Sequence, residues 1–71
     1  MTDGDVNGIG KYIGLTLSAE QCMTMVTCTE PEANGMEWKT GSTHCIAKFG
    51  VSHFASKGKH ARACIFRGRL Q

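Results

Sequence analysis

The sequence predicts an α+β domain in which one α-helix packs on an antiparallel β-sheet of about four to five strands. Three observations carry this. The stretch "LSAEQCMTMVTC" opens on a helix-start signal and continues with apolar residues at helical spacing. Four other stretches, "KYIGLTL", "NGMEWKT", "THCIAKFGV" and "ARACIFRGR", alternate with the two-residue period of half-buried strands. Thr40, Gly41 and Ser42 make a short connection between two of these stretches, which together read as a hairpin.

Each element has its own local reason. In residues 11–17 the alternation sets Ile13, Leu15 and Leu17 on an inner face and Tyr12, Gly14 and Thr16 on an outer one. Ser18 ends that strand and caps a helix from Ala19 to Thr29. Its hydroxyl accepts from an early helix amide, and Gln21 reaches back to the Ser18 amide in a capping box. Leu17 and Cys22 stand at the two positions of a hydrophobic staple. Cys22, Met25 and Val26, extending to Thr29, form the buried stripe, with Cys28 at its edge. Pro31 stops the helix, because proline disfavours helical geometry in the residue before it.

Asn34-Gly35 is a turn signal, after which Met36 and Trp38 face one way and Glu37 and Lys39 the other. Residues 40–42 connect to a second arm where Cys45, Ala47 and Phe49 share a face. Trp38, on an alternating strand of so small a protein, is expected in the core rather than as a ligand anchor. Residues 52–60, "SHFASKGKH", are polar, basic and glycine-containing, and are expected to form a loop. In the last strand Cys64 and Phe66 oppose Ala63, Ile65 and Arg67, leaving apolar groups on both faces. Residues 1–10 are a flexible or edge segment, and residues 11–71 a single domain.

Seventy-one residues lie near the lower size at which one apolar core holds a fold unaided, so a staple is expected. Hydrophobic residues are 41% of the chain and charged ones 20%, which is too apolar for a disordered chain. There is no apolar run of membrane-spanning length. The start "MTDGDVNGIG" is acidic and glycine-rich, unlike a secretory signal, so it gives no direct sign of export. Charge is divided along the chain. Up to Glu32, five acids oppose Lys11, for −4; beyond it seven cations oppose Glu37, for +6. Loose pairing within the fold accounts for such a split; a basic face for an anionic partner, or head-to-tail association, is the sharper reading.

Four cysteines allow three pairings, and spacing does not choose among them. Structural zinc is a poor fit, because its ligands usually come in pairs two to four residues apart. Five residues separate Cys22 from Cys28, and the neighbours His44 and Cys45 point to opposite faces of a strand. A catalytic thiol needs a positioned base, and nothing in the sequence brings His53 or His60 to a cysteine.

The succession "SAEQC", "GMEW", "THCIAKF" and "ACIF" resembles the PAN/apple domain family across roughly residues 11–66. That resemblance implies a small extracellular, disulfide-stabilised module, with a helix across a five-stranded antiparallel sheet. It implies a bond between Cys22 and Cys45; in the chain-entropy model such a tie contributes about 3 kcal/mol. The family's second helix-to-strand bridge has no cysteines here. Val26 and approximately Ala33 occupy those places, so packing stands in for the bond. A partner for Cys64 before Tyr12 is also missing. Cys28 and Cys64 are left to bond each other, stay reduced or link to another chain.

The function expected from the resemblance is secreted, non-catalytic binding or adhesion, directed at a carbohydrate or protein partner. The residues themselves are compatible with that. They show no phosphate-cradling loop, no readable Ser/His/Asp set and no cofactor motif. The candidate ligand-binding residues are Lys57, Lys59, His60, Arg62 and Arg67, facing an acidic glycan, an anionic protein or a neighbouring subunit. One alternative is an accessory subunit of a larger extracellular assembly, self-associating through acidic and basic faces. Another is a zinc-stabilised nucleic-acid binder that stacks bases on Phe49, Phe54 or Phe66; a net charge of only +2 and the acidic first half argue against it.

Overall fold

The computed structural model describes residues 1–69. In chain order its elements are β1 (Thr2–Asp3), β2 (Asp5–Val6), β3 (Ile9–Leu15), α1 (Ala19–Thr29), β4 (Gly35–Lys39), β5 (His44–Phe49), β6 (Phe54–Ser56) and β7 (Ala61–Ile65), then a 3₁₀ turn at Arg67–Arg69. The main sheet is antiparallel with strand order β1-β7-β4-β5-β3, and β2 pairs with β6 in a second, two-stranded sheet. This is the α+β arrangement of one helix on an antiparallel sheet. No helix among the described residues is long and apolar enough to cross a membrane.

The helix begins where its capping signal lies. Ser18 is extended, and its Oγ accepts from the Gln21 amide at 3.1 Å. The Gln21 carboxamide accepts from the Leu17 amide at 2.7 Å rather than from that of Ser18, so the reciprocal half of the cap sits one residue earlier than expected. The buried stripe starts at Ala19 and continues through Cys22 and Val26. Thr29 lies outside it, exposed, with its hydroxyl donated to the Met25 carbonyl.

The core lies between this stripe and one face of β4 and β5, where Met36, Cys45 and Ala47 are wholly buried. Trp38 packs partly buried against them, its indole N–H donated to the Thr16 carbonyl at 3.3 Å. Cys22 and Cys45 are joined by a disulfide with Cα atoms 5.4 Å apart, tying helix to sheet. Val26 and Ala33, also wholly buried, belong to the same cluster.

Four local expectations are overturned. In β3 the register slips between Tyr12 and Gly14, where Gly14 adopts φ +140°. That extra residue flips the later side chains, as a one-residue shift must. Ile13 packs on the core, but Leu15 is 63% and Leu17 89% exposed, so neither the long inner row nor the Leu17–Cys22 staple forms. Asn34-Gly35 is not a hairpin turn. Asn34 is buried, with its carboxamide bonded to both the amide and the carbonyl of Val51, and β4 begins at Gly35. Within 52–60 the chain forms β6, because β2 supplies a pairing partner that the loop's composition does not announce.

The opposite face of the sheet is covered too. Glu37 lies opposite Ala63 while Met36 lies opposite Cys64, so Ala63 is on the side away from the helix. There Val6, Val51 and Ala63 are buried with Ile65 against them in a second apolar cluster. The N-terminal segment runs over this face, contributing β2 to the small sheet and β1 to the edge of the large one.

Candidate functional site

The basic residues of the C-terminal half are distributed by the strand that carries them. Lys57 and Lys59 are exposed on the β6–β7 connection, and neither has an ion-pair partner among the described residues. His60 stands at the end of that connection, but its Nε2 lies 3.0 Å from Asp5 Oδ2. Arg62 projects to the helix side, 3.8 Å from the Asp3 carboxylate and 3.7 Å from that of Glu20. Arg67 is exposed beyond the far end of β7, a strand of about 13 Å from first to last residue at ~3.3 Å per step. The structure therefore brings together Lys57, Lys59 and His60, and separates Arg62 and Arg67 from them.

Beneath the loop lies a network that residue types alone do not reveal. Glu37, on the central strand, is 4% exposed. Its carboxylate accepts the Val6 amide at 3.0 Å and meets Lys39 at 3.2 Å and Lys48 at 3.4 Å. Lys39 also reaches Asp5 at 3.4 Å, and Asp5 accepts the Ser56 hydroxyl at 2.9 Å. A buried carboxylate is tolerable only when its lone pairs are filled in this way. The hydrogen bond from His60, together with Ser56 and Lys39, outweighs burial and lowers the Asp5 carboxyl to about 2. Burial opposes the charge on Lys39, but hydrogen bonding and attraction from Glu37, with Asp5, raise its ammonium above the usual range.

Part of the sequence split of −4 and +6 is thus spent inside the molecule: Asp3 and Glu20 meet Arg62, and Asp5 meets Lys39 and His60. Asp5 and Glu37 are the residues the sequence reading missed. The only signal for them was the charge split itself.

The sulfurs and histidines occupy separate places. Cys22 and Cys45 are consumed by their disulfide. Cys28 is a free thiol exposed on the helix, and Cys64 is a free, half-buried one beside a cleft of about 190 Å³ that Met1, Thr2, Phe54 and Arg67 help to line. His53 bonds Ser52 Oγ at 2.9 Å, and His44 meets the Tyr12 ring edge-on at 4.9 Å. Among the described residues no three His, Cys, Asp or Glu side chains are gathered to hold a metal ion. Phe49 and Phe66 pack partly buried against the main core, and Phe54 is 39% exposed.

Comparison with protein-family models, with curated proteins and with solved structures finds no match to this chain.

Proposed function

We propose that this chain is a small, non-catalytic extracellular module of the PAN/apple kind, whose β6–β7 loop recognises an acidic glycan or an anionic protein surface. One observation carries the reading: after the internal ion pairs are formed, Lys57 and Lys59 are left exposed and uncompensated, on a loop held at both ends by paired strands. Cations without internal partners attract an anionic ligand at little cost, because nothing has to be broken first. The extracellular assignment is supported by the Cys22–Cys45 disulfide, a bond that persists in oxidising compartments. The family assignment is supported by the helix tied across a five-stranded sheet, and by Val26 and Ala33 meeting in the core in place of a second bond.

Retention on a sulfated polysaccharide column tests the proposal. The wild-type chain is expected to bind and to elute earlier as salt rises, since exposed charges are screened. The double variant Lys57→Ala/Lys59→Ala should elute at lower salt. Absence of retention, or retention indifferent to salt and to both substitutions, overturns the loop as the binding surface.

A second reading, an accessory subunit of an extracellular assembly, is favoured by the exposed apolar residues that the edge strand β3 and the chain after it carry on both faces of the sheet. Ile9 is 75% exposed, Tyr12 57%, Leu15 63% and Leu17 89%. Sedimentation over a range of concentrations, for the wild type and for a Leu15→Ser/Leu17→Ser variant, tests it: mass gained by the first and not by the second supports assembly through this edge, and gain by neither or by both removes it.

A further inference from the structure

We infer that the N-terminal segment Thr2–Val6 is an exchangeable strap, and that the groove it fills accepts the same segment from a second copy of this chain. The groove reads the strap residue by residue. Thr2 and Asp3 pair with Ala63 and Arg62 at the free edge of β7. The Gly4 amide donates to the Ala61 carbonyl at 2.8 Å. A Cβ at Gly4 would collide with the Ser56 carbonyl, and φ there is +125°, so this position takes glycine alone. The Asp5 carboxylate is held by His60, Lys39 and Ser56. The Val6 amide meets Glu37, and its side chain, 2% exposed, lies with Val51 and Ala63. The groove is therefore a receptor for an extended peptide of the pattern acid–glycine–acid–valine, and this chain carries that peptide.

Each receptor group named lies between residues 37 and 63, far along the sequence from the strap. Nothing in the contacts requires strap and groove to belong to one molecule. The geometry also permits the exchange. β3 and β1 stand at opposite edges of a five-stranded sheet, about 19 Å apart at ~4.8 Å per strand. The six steps from Asp3 to Ile9 reach about 20 Å when extended. The strap therefore bridges the two edges across the outer face with no length of chain to spare. Its pivot is Asn7-Gly8, where Gly8 sits at φ +98° and Asn7 grips the Ser52 and His53 amides. An exchanged dimer keeps every strap contact and alters only this pivot, which is the usual condition for strand swapping.

A tethered strap competes with a foreign one through its effective concentration, which for short tethers is in the millimolar range. The monomer closes on itself when dilute, and exchange sets in where copies are crowded together. Lys57 and Lys59 take no part, so this inference stands or fails independently of the loop-binding proposal.

The direct test is a cross-link. In the full chain, with Cys28→Ser and Cys64→Ser removing the free thiols, Asp3→Cys and Arg62→Cys place a new pair directly opposite each other across β1 and β7. Oxidised when dilute, the chain should link to itself. Oxidised after incubation at about a hundredfold higher concentration, it should give a reductant-sensitive covalent dimer on a gel. Self-linked monomer at every concentration overturns the inference. The wild-type chain, free of all four substitutions, supplies a second measurement. In a mixture of isotope-labelled and unlabelled copies at high concentration, contacts between Val6 of one copy and Val51 of the other are expected. A chain monomeric throughout, or a dimer whose Val6 contacts all lie within one copy, overturns it equally.

Discussion

Cys22, in the first turn of the helix, is bonded to Cys45 in β5, 23 residues away, at the centre of the apolar core. The other two cysteines are not joined to each other. Under denaturing, non-reducing conditions an alkylating reagent should therefore modify two thiols per chain, and after reduction four, as read by intact mass. Replacing both Cys22 and Cys45 by alanine should lower stability by about 3 kcal/mol. A shift in the urea midpoint measures it.

Acid should weaken the molecule through Asp5. Its carboxyl is lowered from 3.8 to about 2 in the fold, chiefly by the His60 hydrogen bond, so the folded state favours the ionised form. The contribution to stability is fully present above the unfolded value and is lost as pH falls from 3.8 through about 2. Urea unfolding across that window should show a slope that Asp5→Asn abolishes. An unchanged slope in the variant would assign the acid loss to other carboxylates.

Met36 is the largest wholly buried side chain. Met36→Ala should cost about 2–5 kcal/mol, the range for emptying a well-packed site of this size. Cys28→Ser, on the exposed helix surface, should stay within about 0.5 kcal/mol of wild type. Thermal unfolding of the two variants side by side checks both.

Gly4→Ala should dislodge the N-terminal strap without unfolding the rest. Alanine at φ +125° costs about 1–3 kcal/mol in backbone strain alone, and the new methyl also meets the Ser56 carbonyl. The Val6 amide, bonded to Glu37 in the wild type, should exchange its hydrogen faster, while the amides of β4 and β5 should keep their protection. Uniform loss of protection would mean that the strap is part of the folding core.

The helix and the hairpin were legible because their signals are local. Ser18 and Pro31 bound the helix, and the alternation in 36–39 and 44–49 needs no distant partner to be read. The N-terminal strands were not legible, since Asp5 and Val6 become a strand only by meeting Ser56 and Phe54, far along the chain. β3 misled for a related reason: Gly14 permits a bulge, and a single extra residue turned Leu15 and Leu17 from inside to outside. Of the candidate site, the basic loop was visible as composition. What composition does not carry is which charges are already satisfied, and Arg62 and His60 are.

The central strand sets Met36 and Glu37 side by side, one in the oily interior and one among cations. A slip of β4 by one step would thrust the carboxylate into hydrocarbon, carry Lys39 over with it, and leave Lys48 of β5 facing a thioether. Every misaligned sheet is thus penalised twice over. The middle of this small protein is where a mistake of register costs most.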